Sequence, residues 1–201
     1  MLKLNLGCGG RVLKNYINVD EDSLETLKER YPTYTFDDDI IVRQYDIFNL
    51  PFKNNSVDEI RADSLIEHLS FKEEPKFLYE MKRVLKVNGT FNFSVPDFNY
   101  LVKKWLQAED DWKDFYRSDE EAIKTNYWFG QYSNSLNTKW GYLLACFFGP
   151  QNSVGQFHKN CYTESKIKAM MKKVGFKVDK IFLYYWKNTE IRMIQVKVIK
   201  L

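Results

Sequence analysis

The stretch LNLGCGG at residues 4–10 decides the interpretation of this sequence. It runs from an apolar segment, typical of a buried β-strand, straight into a turn that holds three glycines. Glycine lets the backbone turn tightly and leaves no side chain to obstruct a ligand. In an open α/β sheet, ligands bind beyond the carboxyl ends of the strands, and the first strand often leads into such a turn. The stretch therefore predicts a ligand-binding turn after a first strand.

Strands and helices alternate after this turn, and two β-rich runs come last. Apolar periodicity predicts one helix that reaches Lys86 and stops at Gly89, and another between the N-cap Thr163 and Gly175. The pattern predicts an α/β open sheet, mostly parallel with an antiparallel C-terminal strand, and helices on both faces. The predicted strands after the first are 16–20, 40–46, 57–62, 90–95, 176–186 and 191–199, the last two joined by a turn at 187–190.

Length and composition predict a single domain over residues 1–201. Residues 98–160 interrupt the alternation and are rich in aromatic residues, which predicts a helical insertion after strand five. Three roles are consistent with this insertion: a lid that shapes a substrate pocket, a helical cap that builds the core, and a dimer surface. The net charge of +3, without a basic stripe, makes nucleic acid an improbable partner.

The predicted second and third strands each end in an acid. Asp20 can accept hydrogen bonds from both ribose hydroxyls of a nucleoside, and Asp46 can accept from an adenine amino group with Ile47 and Phe48 packed on the ring. Each acid taken alone is more simply a solvated residue at a strand end, but the pair after a glycine turn favours a nucleoside site. The dinucleotide fingerprint is not met, because Val12 stands where its third glycine belongs.

Several segments in this order resemble class I S-adenosylmethionine-dependent methyltransferases, which have a Rossmann-like sheet. The resemblance implies that Gly7, Cys8, Gly9 and Gly10 lie against the methionine part of the cofactor, that Asp20 holds the ribose, and that Asp46 and Ile47 hold the adenine. It also implies that Ala62 and Asp63 line the donor pocket. The segments are 4–10, 16–20, 46–52, 56–60, 65–69 and 80–89.

The chain departs from this family at two places. Asn5 stands where the family usually has an acid, which removes a charge that helps to orient the methionine end of the cofactor. The step from Gly7 to Asp20 is short, so the first helix must be clipped or missing. A subgroup of bacterial and phage-like methyltransferases shares this short step.

The acceptor side is predicted from polar residues later in the chain. His158 is interpreted as a general base or a substrate hydrogen-bond partner, with a histidine of a surface loop as the simpler alternative. Gln151 and Tyr162 are weaker substrate candidates, and His68 is expected at the rim of the pocket. Cys146, Cys161 and His158 are too few and too unevenly spaced for a metal site, so none is predicted.

The sequence thus predicts an S-adenosylmethionine-dependent methyltransferase that acts on a small-molecule or sugar-like acceptor. The alternative is a non-catalytic S-adenosylmethionine-binding or protein-interaction module. A nicotinamide dehydrogenase is disfavoured by Val12 and by the short step to Asp20. The three cysteines lack a disulfide pattern and no apolar signal segment is seen, so a cytoplasmic protein without a membrane partner is expected. Whether it forms a homodimer is left open.

Overall fold

The computed structural model describes residues 1–108, 142–151, 154–186 and 191–201. The predicted turn at 187–190 and the centre of the predicted insertion, residues 109–141, lie outside this part of the chain. All seven strands described below belong to one sheet.

The sheet has the strand order β3-β2-β1-β4-β5-β7-β6. The first five strands along the chain pair in parallel, whereas β7 is antiparallel to both β5 and β6. This confirms the predicted fold class, including the antiparallel C-terminal hairpin. The strands are β1 Lys3–Leu6, β2 Ile17–Val19, β3 Val42–Arg43, β4 Val57–Asp63, β5 Leu85–Pro96, β6 Phe176–Tyr185 and β7 Arg192–Lys200.

Five α-helices and two short 3-10 helices occur in the described residues. Thr163 caps α5 through its side chain and Gly175 ends it with a positive φ of 90°, as the sequence predicts. The helices are α1 Leu24–Arg30, α2 Glu73–Val84, α3 Phe98–Gln107, α4 Tyr142–Phe148 and α5 Glu164–Val174, and the 3-10 helices are Ile66–His68 and Val154–Gln156.

The predicted end of the second helix is wrong. The helix α2 stops at Val84, and Leu85 already pairs with Val57 as the first residue of β5. Pairing with a neighbouring strand therefore overrides the helical periodicity of this segment. Gly89 lies within the strand, where a Cβ atom would stand 2.9 Å from the carbonyl oxygen of Lys86. A close backbone approach, rather than a helix stop, accounts for this glycine.

The third strand is shorter than predicted. Only Val42–Arg43 pairs with β2, so Asp46 follows the strand in a turn instead of ending it. The prediction that the first helix is clipped or missing is confirmed, because residues 7–16 connect β1 to β2 through turns and contain no helix.

Two hydrophobic clusters fill the described structure. The larger one lies between the sheet and helices α2 and α5, with Phe77, Phe91 and Met171 fully buried. The smaller one joins α3 and α4 to the start of β7 through Leu101, Leu143 and Met193. The described parts of the predicted insertion therefore build a satellite core beside the carboxyl end of the sheet. None of the described helices combines the length and the hydrophobicity that a bilayer crossing requires.

Candidate active site

A cleft of about 310 Å³ opens at the carboxyl ends of β1, β2 and β4. This is the edge of a parallel sheet at which ligands bind, next to the point where the strand order reverses. We call it the donor cleft. Its walls are Gly7, Gly9, Asp20, Glu21, Leu27, Arg30, Tyr31, Tyr45, Asp46, Ile47, Phe48, Ser64, Leu65, His68, Leu69, Glu73, Gly155, Gln156 and Lys159.

The glycine turn forms the floor of the donor cleft. Gly7 and Gly9 both have a positive φ, 59° and 49°, which residues with a side chain rarely adopt. A Cβ atom on Gly9 would stand 3.4 Å from the hydroxyl oxygen of Tyr31. Gly10 faces Tyr34 instead and does not line the cleft, since a Cβ atom there would stand 2.7 Å from the ring.

Cys8 points away from the donor cleft into the core, with 4% of its surface exposed. Burial raises the pKa of its thiol to about 12, so the group is a neutral thiol at physiological pH. Its backbone N–H donates to the carbonyl oxygen of Val19 over 3.1 Å, which ties the turn to β2. The residue therefore serves packing rather than reactivity.

Asp20 is held in place by the glycine turn. Its Oδ2 accepts a hydrogen bond from the N–H of Gly9 over 2.8 Å, and its Oδ1 accepts from the N–H of Asp22 over 3.2 Å. Burial raises the pKa of this carboxyl above its ordinary value. Because each oxygen has a second lone pair, the carboxylate can still accept hydrogen bonds from a ligand in the cleft.

Asn5 organises the turn that replaces the missing helix. Its Nδ2 donates to Oδ1 of Asn18 over 2.9 Å and to the carbonyl oxygen of Arg11 over 2.8 Å. The same Oδ1 accepts from the N–H of Leu13, and Nδ2 of Asn18 donates back to the carbonyl of Leu13. The amide that replaces the family's acid is thus a structural link between β1, β2 and the turn.

At the other end of the donor cleft, Asp46 is exposed and its Oδ1 accepts from the N–H of Phe48 over 2.8 Å. Ile47 and Phe48 line the same region and are half-buried. Asp20, Asp46 and Ile47 are therefore brought together around one cleft by two separate connections of the sheet, the one after β2 and the one after β3.

Ala62 and Asp63 do not line the donor cleft. Ala62 is fully buried in β4, and Asp63 ends the strand with its Oδ2 on Nη2 of Arg61 at 2.6 Å. The chain enters the cleft one residue later, at Ser64 and Leu65. The strand runs one residue further than predicted, and Ser64 then turns with a φ of 54°.

A second cleft of about 350 Å³ lies beside the first, and we call it the acceptor cleft. The two clefts share Tyr31, Ser64, His68 and Gln156 as a common wall. Its other walls come from 3-10 helix 66–68, α4, the following loop and the sheet end. They are Glu67, Pro96, Ala145, Cys146, Pro150, His158, Trp186, Ile191 and Met193.

Two histidines meet in the acceptor cleft. The ring centroids of His68 and His158 are 4.8 Å apart in an edge-to-face arrangement. Nδ1 of His68 lies 3.1 Å from the carbonyl oxygen of Phe157, and Nδ1 of His158 lies 2.9 Å from that of Cys146. Burial lowers the pKa of both rings, that of His68 to about 4. Both imidazoles are therefore neutral at physiological pH.

Glu67 is a buried carboxyl group in the same cleft, with 2% of its surface exposed. Among the described residues, its Oε2 has no hydrogen-bond partner. Burial raises the pKa of this carboxyl to about 8. The sequence predicts a role for His68 but none for Glu67, because a glutamate near a strand end gives no sign of its burial.

Backbone hydrogen bonds bring His158 to His68. The N–H groups of Lys159 and Asn160 both donate to the carbonyl oxygen of Glu67, over 2.8 and 3.1 Å. The N–H of His158 donates to the carbonyl oxygen of Phe148 over 3.0 Å. The loop after α4 is thus fixed at both ends, so His158 lies against the 3-10 helix and not on a free surface loop.

Tyr162 and Gln151 do not line either cleft. Tyr162 is 1% exposed, and its hydroxyl donates to Oε1 of Glu74 over 2.6 Å, next to the carbonyl of Ile66. Gln151 is exposed beside the cleft-lining Pro150, with a long contact from its Nε2 to the carbonyl of Phe148. The structure gives Tyr162 a place in the core beneath the 3-10 helix.

The comparisons with known proteins agree with this geometry. Residues 4–93 match the family model described as a methyltransferase domain. None of the curated proteins matches the sequence.

Solved structures with a similar fold cover nearly the whole chain. An S-adenosylmethionine-dependent methyltransferase from Methanosarcina mazei is 15% identical, with a TM-score of 0.60 over 99% of this chain and 92% of its own. One from Clostridium acetobutylicum is 16% identical, with a TM-score of 0.57 over 98% and 83%. The 1,6-didemethyltoxoflavin-N1-methyltransferase of Burkholderia thailandensis, solved with 1,6-didemethyltoxoflavin and S-adenosylhomocysteine bound, is 10% identical, with a TM-score of 0.58 over 99% and 70%.

The likeness to these structures, all below 25% identity, concerns the fold. The family match covers most of the segment from β1 to β5, which carries the glycine turn, Asp20 and three of the four residues of the shared wall, Tyr31, Ser64 and His68. Residues 4–93 therefore match a methyltransferase domain, and the chain has the fold of S-adenosylmethionine-dependent methyltransferases of known structure.

Proposed function

We propose that this methyltransferase transfers a methyl group to a small molecule held in the acceptor cleft. The observation that carries the proposal is the common wall between two clefts, one with the glycine turn and Asp20, the other with His158. If the donor and the acceptor bind in these neighbouring clefts, the methyl group of the donor and the reacting atom of the acceptor can come into contact beside the shared wall.

The residues that line the donor cleft are of the types that S-adenosylmethionine needs. Gly9 brings bare backbone to the cleft, where a Cβ atom would already contact the hydroxyl oxygen of Tyr31 at 3.4 Å, and the carboxylate of Asp20 accepts from the N–H of Gly9 with lone pairs left for a ligand. We assign Gly7, Gly9 and Asp20 to the methionine and ribose parts, and Asp46, Ile47 and Phe48 to the adenine. Ser64 and Leu65 replace Ala62 and Asp63 in this assignment, since only the former pair lines the cleft.

When bound, S-adenosylmethionine supplies an electrophilic methyl group, which passes to a nucleophilic atom of the acceptor as the carbon–sulfur bond breaks. The chain contributes placement, which can lower such a barrier by roughly 7–11 kcal/mol in favourable cases. Tyr31 and His68 line both clefts, so they lie between the bound parts of the two molecules and orient them. The Nε2 of the neutral His158 can accept a hydrogen bond or a proton from an acceptor O–H or N–H group.

The acceptor cleft has the size and lining of a small-molecule site. Its volume of about 350 Å³ is in the range of such pockets, and Trp186, Ile191 and Met193 give it an apolar wall opposite the polar His158. The toxoflavin-precursor methyltransferase, whose fold is similar, binds a small heterocycle. A flat, apolar acceptor with one ionisable O–H or N–H group would match this lining better than a sugar would.

Turnover of labelled donor against a panel of small aromatic and heterocyclic acceptors tests the proposal. We expect His158→Ala to lower turnover by about 10²-fold or more while S-adenosylhomocysteine binds with nearly unchanged affinity. Cys161→Ser is the matched control, because this exposed side chain lies three residues away and outside both clefts. Full activity of the alanine variant would remove His158 from the chemistry.

The same panel separates the enzyme from a non-catalytic binding module. A module would bind S-adenosylhomocysteine and yet transfer no methyl group to any acceptor, including peptides and oligonucleotides. The improbable use of nucleic acid, the question of a homodimer and the cytoplasmic location stay as predictions from the sequence.

A further inference from the structure

The acceptor cleft contains a cluster of three potential metal ligands that the sequence analysis did not predict. One ligand atom each from Glu67, His68 and His158 lies within 4.8 Å of the other two. Two imidazoles and one carboxylate form a donor set that suits divalent transition metals such as Zn²⁺. This grouping was missed because His158 is far from the other two residues in sequence.

Hydrogen bonds fix the position of the ring proton in both histidines. A carbonyl oxygen can only accept a hydrogen bond, so the contacts with Phe157 and Cys146 put the ring proton of each histidine on Nδ1. The Nε2 of each neutral ring therefore keeps its lone pair for another partner. Metal-binding histidines are usually fixed by such a bond from the second ring nitrogen.

The carboxylate supplies the second, independent observation. Glu67 is 2% exposed and lines the acceptor cleft, and its Oε2 has no hydrogen-bond partner among the described residues. A buried oxygen without a partner destabilises the folded state, because it has lost its hydrogen bonds to water. A bound cation would satisfy this oxygen.

The site is also held together by the backbone. The carbonyl oxygen of Glu67 accepts from the N–H groups of Lys159 and Asn160, which are the two residues after His158. All three ligands thus belong to two segments that are directly hydrogen-bonded to each other. Ligand bonds of about 2.0–2.2 Å would need the three atoms to approach by roughly 1 Å, within the reach of side-chain rotation.

We propose that Glu67, His68 and His158 bind one divalent transition-metal ion in the acceptor cleft. Three protein ligands leave at least one coordination position open, as in catalytic sites. If the proposed function holds, this position faces the acceptor and would bind its nucleophilic oxygen or nitrogen. In that state His158 contacts the cation instead of taking the acceptor's proton.

The metal alone tests this assignment, without donor or acceptor. Protein freed of metal with a chelator is titrated with Co²⁺, whose visible absorption reports coordination, and with Zn²⁺ by calorimetry. We expect one saturable ion per chain, and at least about tenfold weaker binding in Glu67→Gln and in His158→Gln. Glu164→Gln is the matched control, because this exposed carboxylate lies on α5 outside both clefts.

Saturable binding that both cleft variants retain, or no saturable binding in the wild-type protein, would overturn the assignment. If Glu67→Gln fails to fold, His158→Gln decides, with its affinity for S-adenosylhomocysteine as the check that the donor cleft is intact. Cobalt binding without any binding of S-adenosylhomocysteine would defeat the proposed function while leaving the metal site in place.

Discussion

Replacing Asp20 by asparagine separates the role of its charge from the shape of the donor cleft. The amide has nearly the same volume as the carboxylate and retains one oxygen. In the wild type the N–H of Gly9 donates to Oδ2 over 2.8 Å, and the amide oxygen of the variant can still accept this hydrogen bond. What is lost is the negative charge on the group that would accept the ribose hydroxyls. Hydrogen bonds to charged groups contribute about 1.5–3 kcal/mol, against about 0.5–1.5 for neutral ones.

The expected loss of donor affinity follows from this difference. For two ribose hydroxyls it amounts to roughly 2–3 kcal/mol, or about 30- to 150-fold in Kd. Calorimetry with S-adenosylhomocysteine measures it, with Asp37→Asn as the control, since that carboxylate pairs with Lys14 outside the donor cleft. Unchanged affinity in Asp20→Asn, or an equal loss in the control, would refute the assignment of Asp20 to the ribose.

Stability and pH give two further checks on the same variant. Because burial raises the pKa of Asp20 in the folded protein, ionisation of this group destabilises the native state at neutral pH. We therefore expect Asp20→Asn to unfold at no lower temperature than the wild type. In the wild type, donor affinity should fall as the pH drops through the pKa of Asp20, which lies above the ordinary value of 3.8. This decline should be absent from Asp20→Asn. The comparison is made at pH values above about 4, where His68 stays neutral.

Three other outcomes are expected. Asp46→Asn should lower the affinity for S-adenosylhomocysteine in the same calorimetric assay less than Asp20→Asn does, because Asp46 is exposed and water can replace it; an equal or larger loss would contradict this. A thiol reagent at neutral pH should label Cys161 rapidly, and Cys8 and Cys146 only after unfolding in urea. The reason is that burial raises the pKa of both of these thiols to about 12. Rapid reaction of all three cysteines in the native protein would show that the core is open. Gly175→Ala should lower the free energy of unfolding by about 1–2 kcal/mol in urea denaturation, because the φ of 90° at the end of α5 disfavours a side chain; no change would argue against this backbone conformation.

The donor cleft could be predicted in large part from the sequence. Its main features are local: a strand that leads into a glycine turn, and an acid directly after the next strand. Parallel strands end at the same edge of a sheet, so residues that follow neighbouring strands come together without further information. The caps of α5, Thr163 and Gly175, were predictable for the same reason, because each depends on the conformational preference of one residue beside a helix end.

The tertiary structure alone decided the register of β4 and β5. Pairing with β4 turns residues 85–89 from a predicted helix end into strand, and the length of β4 brings Ser64 rather than Ala62 to the cleft. Strand pairing depends on residues that are distant in sequence, and a local helical pattern cannot report it.

The acceptor cleft likewise depended on long-range contacts. His68 and His158 are 90 positions apart in the sequence, and they meet where the backbone after α4 is hydrogen-bonded to the carbonyl of Glu67. Sequence determined which local turns and helix ends form, since these follow from short-range preferences. The juxtaposition of Glu67, His68 and His158, and the burial that leaves an oxygen of Glu67 unsatisfied, arise from packing between distant segments.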